Sequence, residues 1–505
     1  MSFVLIAACG GGPPTKPPPV VVAPPPAVLV PPPAAEPART IFGAPRIGDC
    51  PSRDDGVARF TLLHVNDMQA HYSDRIDGRS RYARLAGAIR DVRATTPATL
   101  VLDAGDDYEK GSLLDLRTAG EATRRVLHAM PIDARVLGNH DFAYGPALVR
   151  EDVRMSPHPV LLANVRDPED AKLFQPYAAF EVGCVKVGVF GLVTRPYGSD
   201  DEQFDGPYGP FIVDPRVVAA AKRTVRQHRA EVDVMIALTH LGKGTDTFLA
   251  REVAGVDLVV GGHSEDAVSR PIRIARLDGT EAHVLQAGRF AENLGRASLS
   301  YDRASKRVTF ERYALVPVDA AMPVDEVVDE LVKGLEAQAV PTLFEPFTHT
   351  SRELGTDELA RLTFEAVRRE AKADALLVGK DAFWGKLPEG PITRQALYQR
   401  VPVQKQPVAT AGFTSLWMVE LSAEAYRRLR TRFRRGSPYA WLEAPGPSPP
   451  IVRLALDKRL LEHPALLTRP AMTWAEARPI GELIDVLERF GVAQAARGEA
   501  FDAPL

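Results

Sequence analysis

Apolar residues in this chain come in short unbroken runs, each stopped by a polar residue, and five such runs stand out between residues 60 and 265. Phe60-Thr61-Leu62-Leu63-His64-Val65 runs into Asn66-Asp67, with Gln69 two residues on. Thr99-Leu100-Val101-Leu102 breaks at Asp103-Ala104-Gly105-Asp106. Val136-Leu137 leads into Gly138-Asn139-His140-Asp141. Val234-Met235-Ile236-Ala237-Leu238 ends at Thr239-His240, and Leu258-Val259-Val260 at Gly261-Gly262-His263-Ser264-Glu265. Runs without polar alternation read as strands buried on both faces, as in a parallel sheet covered by helices. Gly, Asn or Asp at the end of each marks a loop at a strand's carboxyl end, the edge where open α/β sheets build their sites. The pattern predicts an α/β fold whose five strand tips meet at one edge of the sheet.

Farther along, the period changes to that of a helix. Val324, Val327, Val328, Leu331, Val332 and Leu335 recur at helical spacing, with Asp325, Glu326, Asp329 and Glu330 opposite, predicting a connecting helix within 320–345. A second amphipathic helix is expected over 356–372 and a third over 422–434. With the third comes a basic run, Arg427, Arg428, Arg430, Arg432, Arg434 and Arg435. Such a run reads first as a solvated face and second as a surface for anionic headgroups. Residues 443–450, rich in Pro and Gly, read as a loop.

The five tips carry the chemistry. Asp67, Gln69, Asp106, Asn139, His240, His263 and Glu265 would gather oxygen and nitrogen donors at one edge, a mixture suited to Mn, Zn or Fe. His140 would offer a proton to a leaving group. Singly, each residue has a plainer reading, such as a helix cap, a structural histidine or a tight turn. Five in order point to a metal site.

These stretches resemble the calcineurin-like metallophosphoesterases, in the bacterial branch of 5′-nucleotidases, UDP-sugar hydrolases and 2′,3′-cyclic-nucleotide phosphodiesterases. That branch reads N-D-x-H-G-H, G-D, G-N-H-E-F-D, T-H and G-G-H-S-H or G-G-H-S-Q. Leu162-Ala163-Asn164-Val165 and Val284-Leu285-Gln286-Ala287-Gly288 match further. The resemblance covers residues 58–318 and continues more weakly to 432 through Leu387-Pro388-Glu389-Gly390-Pro391-Ile392-Thr393. It implies an N-terminal four-layer α/β/β/α sandwich and a smaller C-terminal α/β domain of 5′-nucleotidase type. It also implies two divalent ions (Mn, Zn, Fe or Mg) bridged by Asp106. Asn139, His240 and His263 would complete one shell, and Asp67, Gln69 and Glu265 the other. The ions, about 4 Å apart, would clamp a phosphoryl group and lower the pKa of a bridging water, with His140 as the catalytic histidine.

The departures from the pattern cluster. Gln69 stands where the branch has His, and Glu265 where it has His or Gln, both on one ion. An amide oxygen is the weaker ligand for a transition metal. Ala143 replaces the Asp that orients the catalytic histidine, which leaves Asp141 as the candidate. In the second domain the substrate-binding Asn and Arg become Gly379 and Trp384, and Pro402-Val403-Gln404-Lys405 replaces P-F-x-N. Arg is the preferred bidentate phosphate donor, so its loss weakens the nucleotide case. Lys380, Lys386 and Lys405 are candidate point charges or plain solvated lysines.

The amino terminus adds a compartment. Phe3-Val4-Leu5-Ile6-Ala7-Ala8-Cys9 resembles the end of a bacterial lipoprotein signal with Cys9 lipidated, although shorter than usual and without a basic region; a frayed apolar terminus is the alternative. Residues 10–38 are dominated by Gly and Pro and predict an extended spacer. Cys50 and Cys184 are the other cysteines, and in an exported protein they could pair. With 505 residues, 25% charged residues and a net charge of −3, the chain has room for more than one core and no basic excess for nucleic acid. The expected layout is a signal at 1–9, a spacer at 10–55, a metallophosphoesterase domain at 56–320, a connecting helix at 321–345 and the C-terminal domain at 346–505. The expected function is that of an exported, monomeric phosphoester hydrolase acting on a small, nucleotide-like phosphorylated substrate and held at the membrane through Cys9. The alternative is a catalytically weakened surface lipoprotein that binds a ligand or partner.

Overall fold

A computed structural model describes residues 46–50, 56–194, 208–402, 415–433, 439–458, 460 and 477–503. Cys9, the spacer through residue 45, Lys405, Arg434 and Arg435 lie outside the described residues.

Two sheets stack face to face. The first has seven strands, with Val185–Val193, Val234–His240, Leu258–Gly261 and Glu281–Leu285 running parallel at its centre. The second has five, with Val57–Val65, Thr99–Asp103 and Ala134–Arg135 parallel and Asn293–Asp302 and Arg307–Pro317 antiparallel. Side chains alternate across each strand. Leu62, Leu100 and Leu102 meet Ile236, Leu238 and Val260 in the core between the sheets. Leu63, Val65 and Val101 face the other way, against helices Arg81–Thr95, Glu121–Ala129 and Glu326–Ala339. Met235, Ala237 and Val259 turn outward against helices Val217–His228 and Lys243–Glu252. Both faces of each central strand are covered, which is why the runs are apolar without alternation. The four-layer expectation holds. The single-sheet geometry does not: three of the five predicted tips belong to one sheet and two to the other, and they meet across the stack, where His240 Nε2 lies 3.0 Å from Asp106 Oδ2.

The C-terminal domain is a five-stranded sheet built around Ala375–Gly379 and Ile451–Asp457. Helices Thr356–Ala371 and Leu483–Ala495 cover one face and Ala423–Phe433 the other. Leu113, from the first domain, is buried in the core of the second, and Leu116 packs against it. Gln395 fastens this contact, donating from Nε2 to the Gly111 carbonyl at 2.6 Å and accepting the Leu113 N–H at 3.0 Å. The helix Glu326–Ala339 falls inside the predicted 320–345 connector.

Arg46–Ile47, within the segment expected as spacer, pairs with Glu181–Val182 as an edge strand, and residues 51–55 lie outside the described residues. Cys50 and Cys184 form a disulfide across a sequence separation of 134 residues. A closed loop of that size restrains the unfolded chain and stabilises the fold by roughly 2–4 kcal/mol. Among the described residues no helix is long and apolar enough to cross a membrane.

Candidate metal centre

The loop after Ala134–Arg135 sets the geometry. Gly138 is required there because a Cβ would fall 2.2 Å from Asp106 Oδ1. The close approach lets the His140 N–H donate to Asp106 Oδ1 at 2.7 Å, leaving Oδ2 to face His240 Nε2 at 3.0 Å. His240 Nδ1 donates to the Ala104 carbonyl at 2.7 Å, which turns Nε2 toward the site. That Nε2 is buried and has no hydrogen-bond partner of good geometry. His263 Nδ1 and Asn139 Oδ1 lie 2.7 Å apart. Asp106, His240 and His263 each offer a ligand atom, all within 4.8 Å of one another. Burial pulls the His240 imidazole down, but the Asp106 carboxylate outweighs it and lifts it to about 10. The Asp106 carboxyl is held well below its usual range against burial, by His240 and His140. Burial, with His240 beside it, lowers His263 to about 4. An orphaned imidazole nitrogen, an anionic Asp, a second imidazole and an amide oxygen converging in a buried pocket fit one divalent ion.

The other predicted ligands are arranged differently. Asp67 accepts from Asn66 Nδ2 at 2.7 Å and from the His263 N–H at 2.9 Å, and burial raises its carboxyl to about 7. Gln69 spends its amide nitrogen on Glu265 Oε1 at 3.1 Å, while its own Oε1 is buried without a hydrogen-bond partner. Glu265 Oε2 accepts from Arg289 at 2.7 Å, and Lys110 Nζ stands 3.7 Å from Oε1. Burial opposes ionisation of Glu265, yet Lys110 and Arg289 hold its carboxyl below the usual value. Asp67, Gln69, Asp106, His263 and Glu265 all take positive φ, as do Glu109 and Lys110. Left-handed backbone at non-glycine residues costs about 1 kcal/mol or more each and gathers at functional sites.

One expectation is revised. Asp141 does not orient His140. Its carboxylate accepts the backbone N–H groups of Asp106 and Asp107, each at 2.9 Å, and that of Gly138, stapling two site loops together. The partner of His140 is Glu109, whose Oε2 lies 2.6 Å from Nδ1. Sequence reasoning missed Glu109 and Lys110. The available signal was a charged pair set between Tyr108 and the small and apolar run Gly111-Ser112-Leu113-Leu114. The other matched stretches are supports. Asn164 latches onto Val193 through both amide atoms, and Gln286 holds Gly262, Ser264 and Asp266. Trp384 lies on the C-terminal domain with its ring 5.4 Å from Lys110 Nζ. Lys386 pairs with Glu353 on the surface, and Lys380 is exposed.

This arrangement closes strand tips from two stacked sheets on a pocket of mixed oxygen and nitrogen donors that could hold a divalent ion. Residues 60–264 match the calcineurin-like phosphoesterase family, and the chain carries a domain of that family with 5′-nucleotidase homologues. It is 29% identical over 312 residues to the trifunctional nucleotide phosphoesterase protein YfkN of Bacillus subtilis, covering 55% of this chain and 20% of that protein. It is 31% identical to a snake venom 5′-nucleotidase of Gloydius brevicauda, covering 49% of this chain and 46% of the relative, and so spans less than half the length of these relatives. The 5′-nucleotidase precursor of Thermus thermophilus shares the fold at TM-score 0.65 and 21% identity, over 86% of this chain and 97% of that one. The Thermus sulfate thiohydrolase SoxB shares it at TM-score 0.61 and 20% identity, over 87% and 94%.

Proposed function

We propose that this chain is an exported, metal-dependent hydrolase of small phosphoesters. The observation that carries the reading is the convergence of Asp106, Asn139, His240 and His263 beside a histidine, His140, oriented by a buried carboxylate. A divalent ion held by those four residues would supply Lewis acidity toward a phosphoryl oxygen and lower the pKa of a water. The protein's own residues do the rest. Glu109 accepts from His140 Nδ1 and so fixes the tautomer and the direction of the ring. His140 then assists the departing oxygen, and its backbone N–H keeps Asp106 Oδ1 in place. Lys110 adds fixed positive charge where phosphate charge gathers. The relatives named for nucleotide phosphoester hydrolysis support a nucleotide-like substrate class, while Trp384 in place of an Arg argues for a looser grip on phosphate than theirs. The Cys50–Cys184 disulfide supports an oxidising compartment outside the cytosol.

The test is turnover of p-nitrophenyl phosphate and AMP by the full chain with added Mn or Zn, alongside His140→Ala. Metal-dependent turnover that falls at least about 100-fold in the variant supports the reading. No bound metal and no turnover with any ion defeats it and leaves the ligand-binding alternative. AMP hydrolysed no faster than p-nitrophenyl phosphate removes the nucleotide preference.

A further inference from the structure

The two halves of the centre do not call for the same cation, and the structure supplies a covalent one. Lys110 is buried, yet lysine is among the residues least often buried without a charged partner. Its Nζ faces Glu265, a carboxylate placed where a second ion would be held. Its other neighbour is the face of Trp384, 5.4 Å away, a favourable seat for an ammonium and of no use to a hydrated divalent ion. Glu265 is already engaged on both oxygens, by Gln69 Nε2 and Arg289 as well as by Lys110. Among the described residues, Asp67, Asp106 and Glu265 do not gather into a cluster of ligand atoms, whereas Asp106, His240 and His263 do. The backbone is bent to place the amine: Glu109 and Lys110 take φ of 67° and 65° in succession, held by Gly111 N–H donating to the Gln69 carbonyl at 2.8 Å. Charge closes the account. Lys110 and Arg289 both face Glu265, so this half of the pocket already carries two fixed cations beside its carboxylate.

We infer that the Lys110 ammonium replaces the second metal ion, so that this is a one-ion centre in which the Gln69/Glu265 half is a lysine seat. The inference deepens the proposed function and rests on its metal reading. A phosphoester bound there meets one divalent ion and one ammonium donor. Lysine binds phosphate as a point charge and cannot release a proton-poor water as a metal can. The proton arithmetic of hydrolysis then depends on a single ion and His140.

The test counts metal, without turnover. The full chain, stripped with chelator, is reloaded with Mn or Zn, desalted and measured by elemental analysis, beside Lys110→Met and Lys110→Arg. One ion per chain in the wild type and in Lys110→Arg, rising toward two in Lys110→Met, is the expected result. Two ions per chain in the wild type overturns the inference. One ion in every variant also overturns it, because Lys110 would then not be what excludes the second. No ion in any protein defeats the metal reading as well, whereas one ion with no hydrolysis leaves this inference standing and removes the enzyme. Circular dichroism of Lys110→Met confirms that the count is taken on folded protein.

Discussion

The two halves of the pocket meet at Asp106, whose side chain faces His240 and whose carbonyl accepts the Gln69 N–H at 2.9 Å, yet they are built on different logics. On one side His240 is pinned by a main-chain carbonyl, its Nε2 buried and facing Asp106, and Asn139 and His263 close the set. On the other, Gln69 and Glu265 are occupied with each other and with Lys110 and Arg289. The first half is an unfinished coordination shell, and the second is a finished ion pair. On the one-ion inference, the site would keep its ligand geometry on one side and hold side-chain charge on the other.

The sharpest way to break the contrast is His240→Ala. It should lower metal affinity by about 1000-fold and abolish metal-dependent turnover, measured by titration with Mn against a chelating dye. Glu109→Gln should come next. With metal content unchanged, kcat should fall about 10- to 100-fold while KM changes little, since His140 loses the carboxylate that orients its ring. If turnover is unaffected, Glu109 does not orient the histidine. Glu265→Gln should change affinity at the remaining ion less than about 10-fold, since Glu265 is not one of its ligands. A loss as large as that of His240→Ala would make the halves equivalent and erase the distinction.

Acid offers a milder probe that should treat both halves alike. Burial holds the His64 imidazole down at about 3, below the 6.5 of an exposed histidine. The unfolded chain therefore binds this proton first. His64 contributes full stability above pH 6.5, and the contribution is lost as pH falls toward 3. Replacing it, as in His64→Gln, should reduce the stability lost between pH 7 and pH 4 by about 3 kcal/mol, read by denaturant unfolding at each pH. An unchanged acid dependence would show that His64 is not a source of it.

Much of the fold was legible because burial on both faces writes itself into composition. The strands at Val57–Val65, Thr99–Asp103 and Val234–His240 announce themselves as unbroken apolar runs, and the helices at Glu326–Ala339 and Thr356–Ala371 as period-3.6 stripes. The division of those strands between two sheets was invisible in the runs themselves, since a strand covered on both sides reads the same whichever sheet it joins. In the site, Asp106, Asn139, His240 and His263 could be picked out because each ends or closely follows an apolar strand. Glu109 and Lys110 could not. They lie in the loop past Asp106 rather than at a tip, and their backbone turns through positive φ without a glycine to mark it. Asp141 was misassigned for a related reason: adjacency to His140 in sequence says nothing about whether a carboxylate faces the ring or the backbone behind it.

The burial of Leu113 in the C-terminal core gives that domain a second office, as custodian of the chemistry next door. The chain leaves the pocket at Lys110 and is moored in the neighbouring domain three residues later, with Gln395 as the cleat. Loosening of the second domain would slacken the span that carries both the histidine's partner and the buried amine, long before the stacked sheets themselves came apart. Heat should therefore silence this protein at a temperature where most of its structure still stands.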